Sequence, residues 1–147
     1  MMKLYLMRHG EAESFARCDA DRSLTQTGRA AVASKAQLFP AIERLVVSPY
    51  LRALQTADLL VGEGMQVTHR VVDDRVTPDC PLEPVINEVI RSDVREQLIV
   101  AHNPLLSYLV ADLVGNDARG IGLGTADVAC LEADEWLPGC ARLLWVR

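Results

Sequence analysis

The sequence has no long hydrophobic run. Its uninterrupted apolar stretches, such as residues 98–101, are far shorter than the roughly 20 residues that a membrane-spanning helix needs. The apolar run at the start is too short for the core of a signal peptide, and no small-residue cleavage site follows it. We therefore expect no membrane segment and a cytoplasmic location.

An excess of positive charge is also missing. The chain carries 15 Lys and Arg residues against 20 Asp and Glu residues, which gives a net charge of −5 at pH 7. Binding to nucleic acid depends on a basic surface that neutralises phosphates, so we expect no nucleic-acid partner. Any anion-binding site must therefore be a local cluster of cationic side chains.

Cysteines are few, and their spacing does not suit a metal. The four are Cys18, Cys80, Cys130 and Cys140, with no Cys-x-x-Cys pair and no histidine at zinc-binding spacing. Cys130 and Cys140 could face each other across a hairpin, but a reducing compartment disfavours a disulfide. We expect free structural thiols and no metal site.

Short apolar runs alternate with helical patterns along the 147 residues, which is typical of parallel β-α-β units. Strands are predicted at 3–7, 44–47, 67–72, 97–101, 126–131 and 142–146. Helices are predicted at 25–38, 48–60, 82–90 and 105–114. This pattern indicates a single α/β domain over residues 1–147, with a mostly parallel central sheet, helices on both faces and a C-terminal strand pair.

Local signals mark where several of these elements begin and end. Thr25 is suited to the N-cap of the first long helix, and Ser48-Pro49 reads as an N-cap followed by proline at the first helical position. Gly115-Asn116 is expected to end the helix that begins near Leu105. The glycine-rich stretch 120–124 is interpreted as a flexible loop that leads into the final strands.

Residues suited to phosphate chemistry follow three predicted strands. Arg8 and His9 come directly after the first strand, His102 and Asn103 follow the strand at 97–101, and Arg52 lies in the helix that begins after the second strand. In open α/β sheets, ligands bind in the crevice beyond the carboxyl ends of the strands. We therefore expect two arginines and two histidines to share one crevice.

This set of side chains is sufficient for phosphoryl transfer. Arginine presents a planar fork of donors that can hold two phosphate oxygens at once. A neutral histidine is a competent nucleophile, and a covalent intermediate divides the hydrolysis into two easier steps. Neighbouring arginines favour the neutral form of that histidine. The chemistry requires neither a metal nor another cofactor.

Four motifs in order resemble the histidine phosphatase (phosphoglycerate-mutase-like) superfamily. They are 7–12 (MRHGEA), 24–28 (LTQTG), 47–57 (VSPYLRALQTA) and 100–104 (VAHNP), and together they span nearly the whole chain. The short chain leaves no room for an inserted cap domain, and Ala12 stands where mutase-like members usually have serine or threonine. Within the superfamily it most resembles the SixA-type phosphohistidine phosphatases.

The resemblance implies a role for each residue of the crevice. His9 is expected to be the phosphorylated nucleophile, and Arg8 and Arg52 are expected to bind the phosphate. His102 is expected to be the second pocket histidine and to donate a hydrogen bond to the phosphoryl group. The backbone N–H of Asn103 is expected to assist in binding.

A general acid is hard to find in the sequence. Most relatives that cleave phosphate esters carry a carboxylate after the third strand, but this chain has Pro78 near that position. Asp79 and Glu83 are the nearest substitutes, and Glu83 reads equally well as a solvated residue of a first helical turn. Imidazole, with a pKa of about 6.5, departs with little help, whereas an alkoxide needs a proton donor. The missing acid therefore favours phosphohistidine on a partner protein as the substrate.

The sequence leaves two other functions open. A phosphatase for a small phosphomonoester could use the same pocket and recruit Asp79 or Glu83 as its acid. A non-catalytic module could merely bind phosphorylated partners, although a pure binding site has no need for a nucleophile such as His9. Replacing His9 by alanine separates this module from both enzymes.

Overall fold

The computed structural model describes residues 1–115 and 120–147. The strands of its sheet are β1 (Met2–Arg8), β2 (Ile42–Val47), β3 (Val67–Val72), β4 (Glu96–Ala101), β5 (Val128–Ala133) and β6 (Arg142–Val146). The helices are α1 (Gln26–Ala33), α2 (Leu51–Gly62), α3 (Leu82–Pro84, continued by a π-helical turn at Val85–Val89) and α4 (Leu105–Val114). None of the helices in these residues is long and apolar enough to cross a membrane.

The sheet has the order β3-β2-β4-β1-β5-β6. The first four strands in this order are mutually parallel, whereas β5 and β6 pair antiparallel to their neighbours. The predicted α/β domain with a mostly parallel sheet and a C-terminal strand pair is therefore confirmed. Because β1, β2 and β4 are parallel, their carboxyl ends lie at the same edge of the sheet. Strand β4 lies between the other two.

Both faces of the sheet are buried. In β1, Leu4 and Leu6 point into a core on the side of α3 and α4, whereas Tyr5 and Met7 point into a second core on the side of α1 and α2. Burial on both sides explains why β1 and β4 read as continuous apolar runs rather than as alternating patterns. Packing in the two cores holds the strand ends in place.

Helix α2 begins later than the sequence predicts. Its first residue is Leu51 and its N-cap is Tyr50, so Pro49 is not the first helical residue. The hydroxyl of Ser48 is 0 % exposed, accepts from the Tyr50 N–H at 3.3 Å and lies 2.7 Å from the Nε2 atom of His102. Ser48 is therefore not the helix N-cap that the sequence suggested.

Two other helical predictions also change. Thr25 does cap α1, since its Oγ1 accepts from the Gly28 N–H at 2.9 Å, but α1 ends at Ala33 instead of continuing to residue 38. Beyond Ala33 the hydrogen bonds tighten to 3₁₀ spacing, with a separate 3₁₀ helix at Ala36–Leu38. The predicted helix at 82–90 is one short α-turn followed by a π-turn.

The segment before β5 is held in place by the first strand. Ala126 has a φ of +64° and its N–H donates to the carbonyl oxygens of both Arg8 and His9, so β5 begins at Val128 rather than at Ala126. Gly115, with a φ of +98°, ends α4 as expected. Asn116, the other half of that predicted stop, lies outside the described residues.

The four cysteines and the third histidine, His69, are structural residues. All four cysteines are free thiols, with Cys130 buried in β5 and Cys140 exposed. His69 lies exposed on the edge strand β3. None of these residues belongs to the cleft described below.

Candidate active site

The sheet register brings the two histidines of the sequence motifs together. Arg8 is the register partner of Ala101, so His9 and His102 each lie one residue beyond neighbouring strands. The His9 N–H donates to the Ala101 carbonyl oxygen at 3.0 Å, and the two imidazole centroids are 5.0 Å apart. A cleft of about 300 Å³ opens at this edge of the sheet.

All five residues that the sequence assigned to phosphate binding line this one cleft. They are Arg8, His9, Arg52, His102 and Asn103. The first two come from the end of β1, Arg52 from the first turn of α2, and the last two from the turn between β4 and α4. Because these strands are parallel, residues far apart in the sequence meet at one edge.

His9 is almost fully buried, with its ring fixed by a backbone acceptor. A carbonyl oxygen can only accept, so the contact of 2.7 Å between Nδ1 and the Gly10 oxygen places the imidazole proton on Nδ1. Nε2 then carries the lone pair and accepts from Nε of Arg52 at 3.2 Å. Burial lowers the pKa of His9 to about 4, and the charges of Arg52 and Arg8 add to this effect.

The turn that carries His9 is packed against two helices. The Gly10 N–H donates to Oγ1 of Thr56 in α2 at 3.1 Å. A Cβ atom on Gly10 would lie 2.7 Å from Cγ2 of Val32 in α1, closer than real contacts allow. Glycine at position 10 thus lets the backbone approach α1, and this approach fixes the position of the His9 ring.

Arg52 is buried and uses all three of its guanidinium nitrogens. Besides the bond from Nε to His9, Nη1 donates to the Asp19 carbonyl oxygen at 2.7 Å and Nη2 donates to the Asp19 carboxylate at 3.1 Å. The guanidinium also lies 5.0 Å from the centroid of the Tyr50 ring. Arg52 is therefore held in one orientation beside Nε2 of His9.

Arg8 and Asn103 share a backbone anchor. Nη1 of Arg8 and Nδ2 of Asn103 both donate to the Leu123 carbonyl oxygen, at 3.0 and 2.8 Å. Nε of Arg8 is buried and has no acceptor among the described residues, so it remains available to an anion in the cleft. The Asn103 Oδ1 accepts from the Ser107 N–H and hydroxyl, which ties this side chain to α4.

His102 is the most deeply buried member of the group, at 1 % exposure. Its ring lies between those of His9 and Tyr50, each with its centroid 5.0 Å away. Burial, followed by the proximity of His9 and Arg52, lowers the pKa of His102 to about 3. Both imidazoles in the cleft are therefore neutral at physiological pH.

Comparisons with known proteins agree with this geometry. Residues 4–74 match the family described as the histidine phosphatase superfamily (branch 1). The phosphohistidine phosphatase SixA of Escherichia coli (strain K12) is 32 % identical over 142 residues, which cover 91 % of this chain and 87 % of that protein. The chain belongs to the histidine phosphatase superfamily.

Two other relatives point to the SixA type within this superfamily. The phosphohistidine phosphatase SixA homolog of Haemophilus influenzae (strain Rd) is 32 % identical over 133 residues, 78 % of each chain. A solved structure of the protein histidine phosphatase SixA complexed with tungstate superposes with a TM-score of 0.83 at 29 % identity, covering 99 % of this chain and 96 % of that one. This histidine phosphatase is therefore SixA-like in sequence and fold.

Asp19 and Arg22 are charged residues of the cleft to which the sequence alone assigned no role. Asp19 and Arg22 both line the cleft, although the segment before residue 23 has the mixed charge of a solvated loop. Nε of Arg22 donates to the Asp19 carboxylate at 2.9 Å. Burial acts the other way, but the bonds from Arg52 and Arg22 hold the pKa of Asp19 below its usual value. Only the tertiary contact with Arg52 distinguishes Asp19 from its neighbour Asp21.

The two acid candidates do not line the cleft. Asp79 and Glu83 are both exposed, and Glu83 borders a different depression, beside Asp112. Pro78 does line the cleft, in the stretch where the resemblance led us to expect a general acid. The Glu11 side chain also borders it, but its Oε1 atom accepts from the Thr25 hydroxyl at 2.9 Å.

Proposed function

We propose that this chain hydrolyses phosphohistidine on a partner protein through a covalent phosphohistidine intermediate at His9. The observation that carries the proposal is the state of the His9 ring. Nδ1–H is held by the Gly10 carbonyl oxygen, so the lone pair of Nε2 lies in the cleft beside Arg52. A neutral, fixed imidazole among cationic donors is what nucleophilic attack on a phosphoryl group requires.

The first step transfers the phosphoryl group. Nε2 of His9 forms a bond to phosphorus while the bond from phosphorus to the substrate imidazole breaks, and that nitrogen keeps the electron pair and takes a proton from solvent. Arg8, Arg52 and His102 surround the transferring group and stabilise its negative oxygens. For this to happen, Nε of Arg52 gives up its hydrogen bond to Nε2 of His9 and donates to a phosphoryl oxygen instead.

The second step returns His9 to its resting state. A water molecule attacks phosphorus, the bond to Nε2 breaks, and inorganic phosphate leaves with the proton balance restored by solvent. The ordinary pKa of imidazole is about 6.5, which makes it a good leaving group in both steps. Neither Asp79 nor Glu83 lines the cleft. The carboxylates that do line it are engaged elsewhere, Asp19 by Arg52 and Arg22 and Glu11 by Thr25, so no carboxylate is assigned to protonate a leaving alkoxide.

A panel of substrates with different leaving groups tests this function. We expect kcat/KM to be highest for a phosphohistidine protein, lower for an aryl phosphate and lowest for sugar phosphates, because the need for a general acid rises in that order. Equal rates on sugar phosphates and on phosphohistidine would contradict the proposed substrate class.

Trapping of the intermediate tests the mechanism separately. Rapid denaturation during turnover of a labelled substrate is expected to leave the label on His9, with the acid lability of a phosphoramidate. The His9→Ala variant should lose both label and turnover, whereas His69→Ala, on the exposed edge strand, should retain both. Turnover that survives in His9→Ala would rule out the covalent route, and binding without turnover in the parent protein would favour a non-catalytic module.

The cellular setting follows from the same proposal. A phosphohistidine carried by a protein points to a phosphotransfer or signalling protein as the partner, and to a cytoplasmic location. Asp19 and Arg22 at the rim of the cleft keep partly exposed side chains, which a docking protein domain could reach. Localisation of a tagged protein in intact cells tests the compartment.

A further inference from the structure

The hydroxyl of Ser48 lies against the second histidine of the cleft. Ser48 directly follows β2 and His102 directly follows β4, and these two strands are neighbours. The Ser48 N–H donates to the Val100 carbonyl oxygen at 3.1 Å, which locks the two strand ends together. The Ser48 Oγ atom then lies 2.7 Å from Nε2 of His102, a short and fully buried contact.

The direction of this hydrogen bond follows from counting protons. The Ser48 oxygen already accepts from the Tyr50 N–H at 3.3 Å. The hydroxyl has one hydrogen to donate, and Nε2 of His102 is its only acceptor within the part of the chain that the structure describes. If Nε2–H donated instead, the hydroxyl hydrogen would be buried without a partner, at a cost of about 1–3 kcal/mol.

The other ring nitrogen of His102 then becomes the donor. A neutral imidazole that accepts at Nε2 carries its proton on Nδ1. Nδ1 of His102 is buried and has no partner among the described residues, while the side chain lines the phosphate cleft. A phosphoryl oxygen in the cleft can supply the acceptor that this group lacks.

We propose that Ser48 is a positioning residue that holds His102 in the Nδ1–H tautomer, so that the neutral ring donates to the transferring phosphoryl group. This inference rests on the proposed function for its catalytic consequence, but the tautomer itself does not depend on any substrate. A neutral donor suits this cleft because burial and the charges of Arg52 and Arg8 disfavour a third cation there. Ser48 thereby acts through His102 without touching the substrate.

Nitrogen-15 NMR of the histidine side chains in the ligand-free protein tests the tautomer directly. At neutral pH we expect a protonated Nδ1 and an unprotonated Nε2 for His102, assigned by the signals that disappear in His102→Gln. In Ser48→Ala the proton should move to Nε2, at least in part, while the signals of exposed His69 stay unchanged. A parent protein with Nε2–H at His102 would overturn the proposal, whatever the variants do.

Kinetics supply the second readout. Ser48→Ala is expected to lower kcat for the phosphohistidine substrate by roughly tenfold to hundredfold with little change in KM, because the lost donor acts mainly in the transition state. Ser48→Thr, which keeps a hydroxyl, should recover part of kcat and the Nδ1–H tautomer. Ser34→Ala, at the exposed end of α1, is the matched control and should behave like the parent.

The outcomes separate this proposal from the proposed function. If Ser48→Ala keeps the Nδ1–H signal or the parental kcat, Ser48 does not position His102, even when phosphohistidine is hydrolysed as proposed. If the tautomer is as stated but the parent protein does not hydrolyse phosphohistidine, the proposed substrate fails while the assignment of Ser48 to His102 stands.

Discussion

Arg52 links His9 to the rim of the cleft through one planar group. Its three guanidinium nitrogens reach Nε2 of His9 and two oxygens of Asp19, at 3.2, 2.7 and 3.1 Å. The rigid fork allows these donors to act at once, whereas the ammonium group of lysine is a compact point charge on a flexible stem. The shape of the side chain therefore matters here in addition to its charge.

Arg52→Lys is expected to lower kcat/KM for the phosphohistidine substrate by roughly 100-fold to 1,000-fold, because the charge remains but the aligned donors are lost. Steady-state kinetics measure the effect. The matched control is Arg91→Lys, since Arg91 is exposed and pairs with Asp93 outside the cleft. Parental kinetics in Arg52→Lys would mean that charge alone is sufficient at this position.

At the scale of single elements, the first turn of α1 supports the segment that follows His9. A Cβ atom on Gly28 would overlap the backbone of Glu11, two residues beyond His9. Thr25 reinforces this contact, because its hydroxyl lies 2.9 Å from the Glu11 carboxylate and also caps the helix. Helix α1 thus positions the turn that carries His9, although none of the helix residues lines the cleft.

Gly28→Ala is expected to reduce the free energy of unfolding by roughly 1–3 kcal/mol, because the added methyl group has to displace backbone atoms of Glu11. Urea denaturation measures the change. Gly62→Ala is the matched control, since a Cβ at the end of α2 meets no atom within 4 Å, and we expect it to be neutral or stabilising by up to about 1 kcal/mol. Equal midpoints for Gly28→Ala and the parent would show that the turn can move freely.

At the scale of the whole molecule, the fold holds two histidines neutral at the point where its central strands end. Their pKa values lie at about 4 for His9 and about 3 for His102, below the ordinary value of 6.5. Above pH 6.5 both rings are mainly neutral in the folded and in the unfolded chain, so their protonation does not reduce the free energy of unfolding. As the pH falls below 6.5, these two histidines become protonated in the unfolded chain but stay neutral in the folded chain. The free energy of unfolding therefore decreases.

Between pH 7 and about pH 5 we expect a loss on the order of 2 kcal/mol for each of these two histidines. Urea denaturation at both pH values measures it. The His102→Gln variant should show a smaller loss, because one titrating ring is gone, whereas His69→Gln should show the parental loss. A free energy of unfolding that does not change between the two pH values would contradict the neutral, buried state of both rings.

Sequence patterns predicted some residues of the cleft and not others. The four motif residues Arg8, His9, Arg52 and His102 were predicted to share a crevice because parallel strands end at one edge, and the cleft contains all four. Asp19 and Arg22 were missed, since their loop has no periodicity and its mixed charges are typical of a solvated surface. The interpretation of Ser48 as a helix N-cap was wrong, because α2 begins at Leu51 with Tyr50 as its N-cap.

By itself, the sequence determined the α/β architecture, the family and the set of arginine and histidine residues that lines the cleft. These depend on local patterns: apolar strands, glycines at close approaches, and arginine and histidine directly after strand ends. Tertiary structure alone decided which groups the nitrogens of each imidazole contact and what holds Arg8 and Arg52. The reason is physical, because a hydrogen bond depends on tenths of an ångström between atoms such as those of Ser48 and His102, which only the folded sheet brings together.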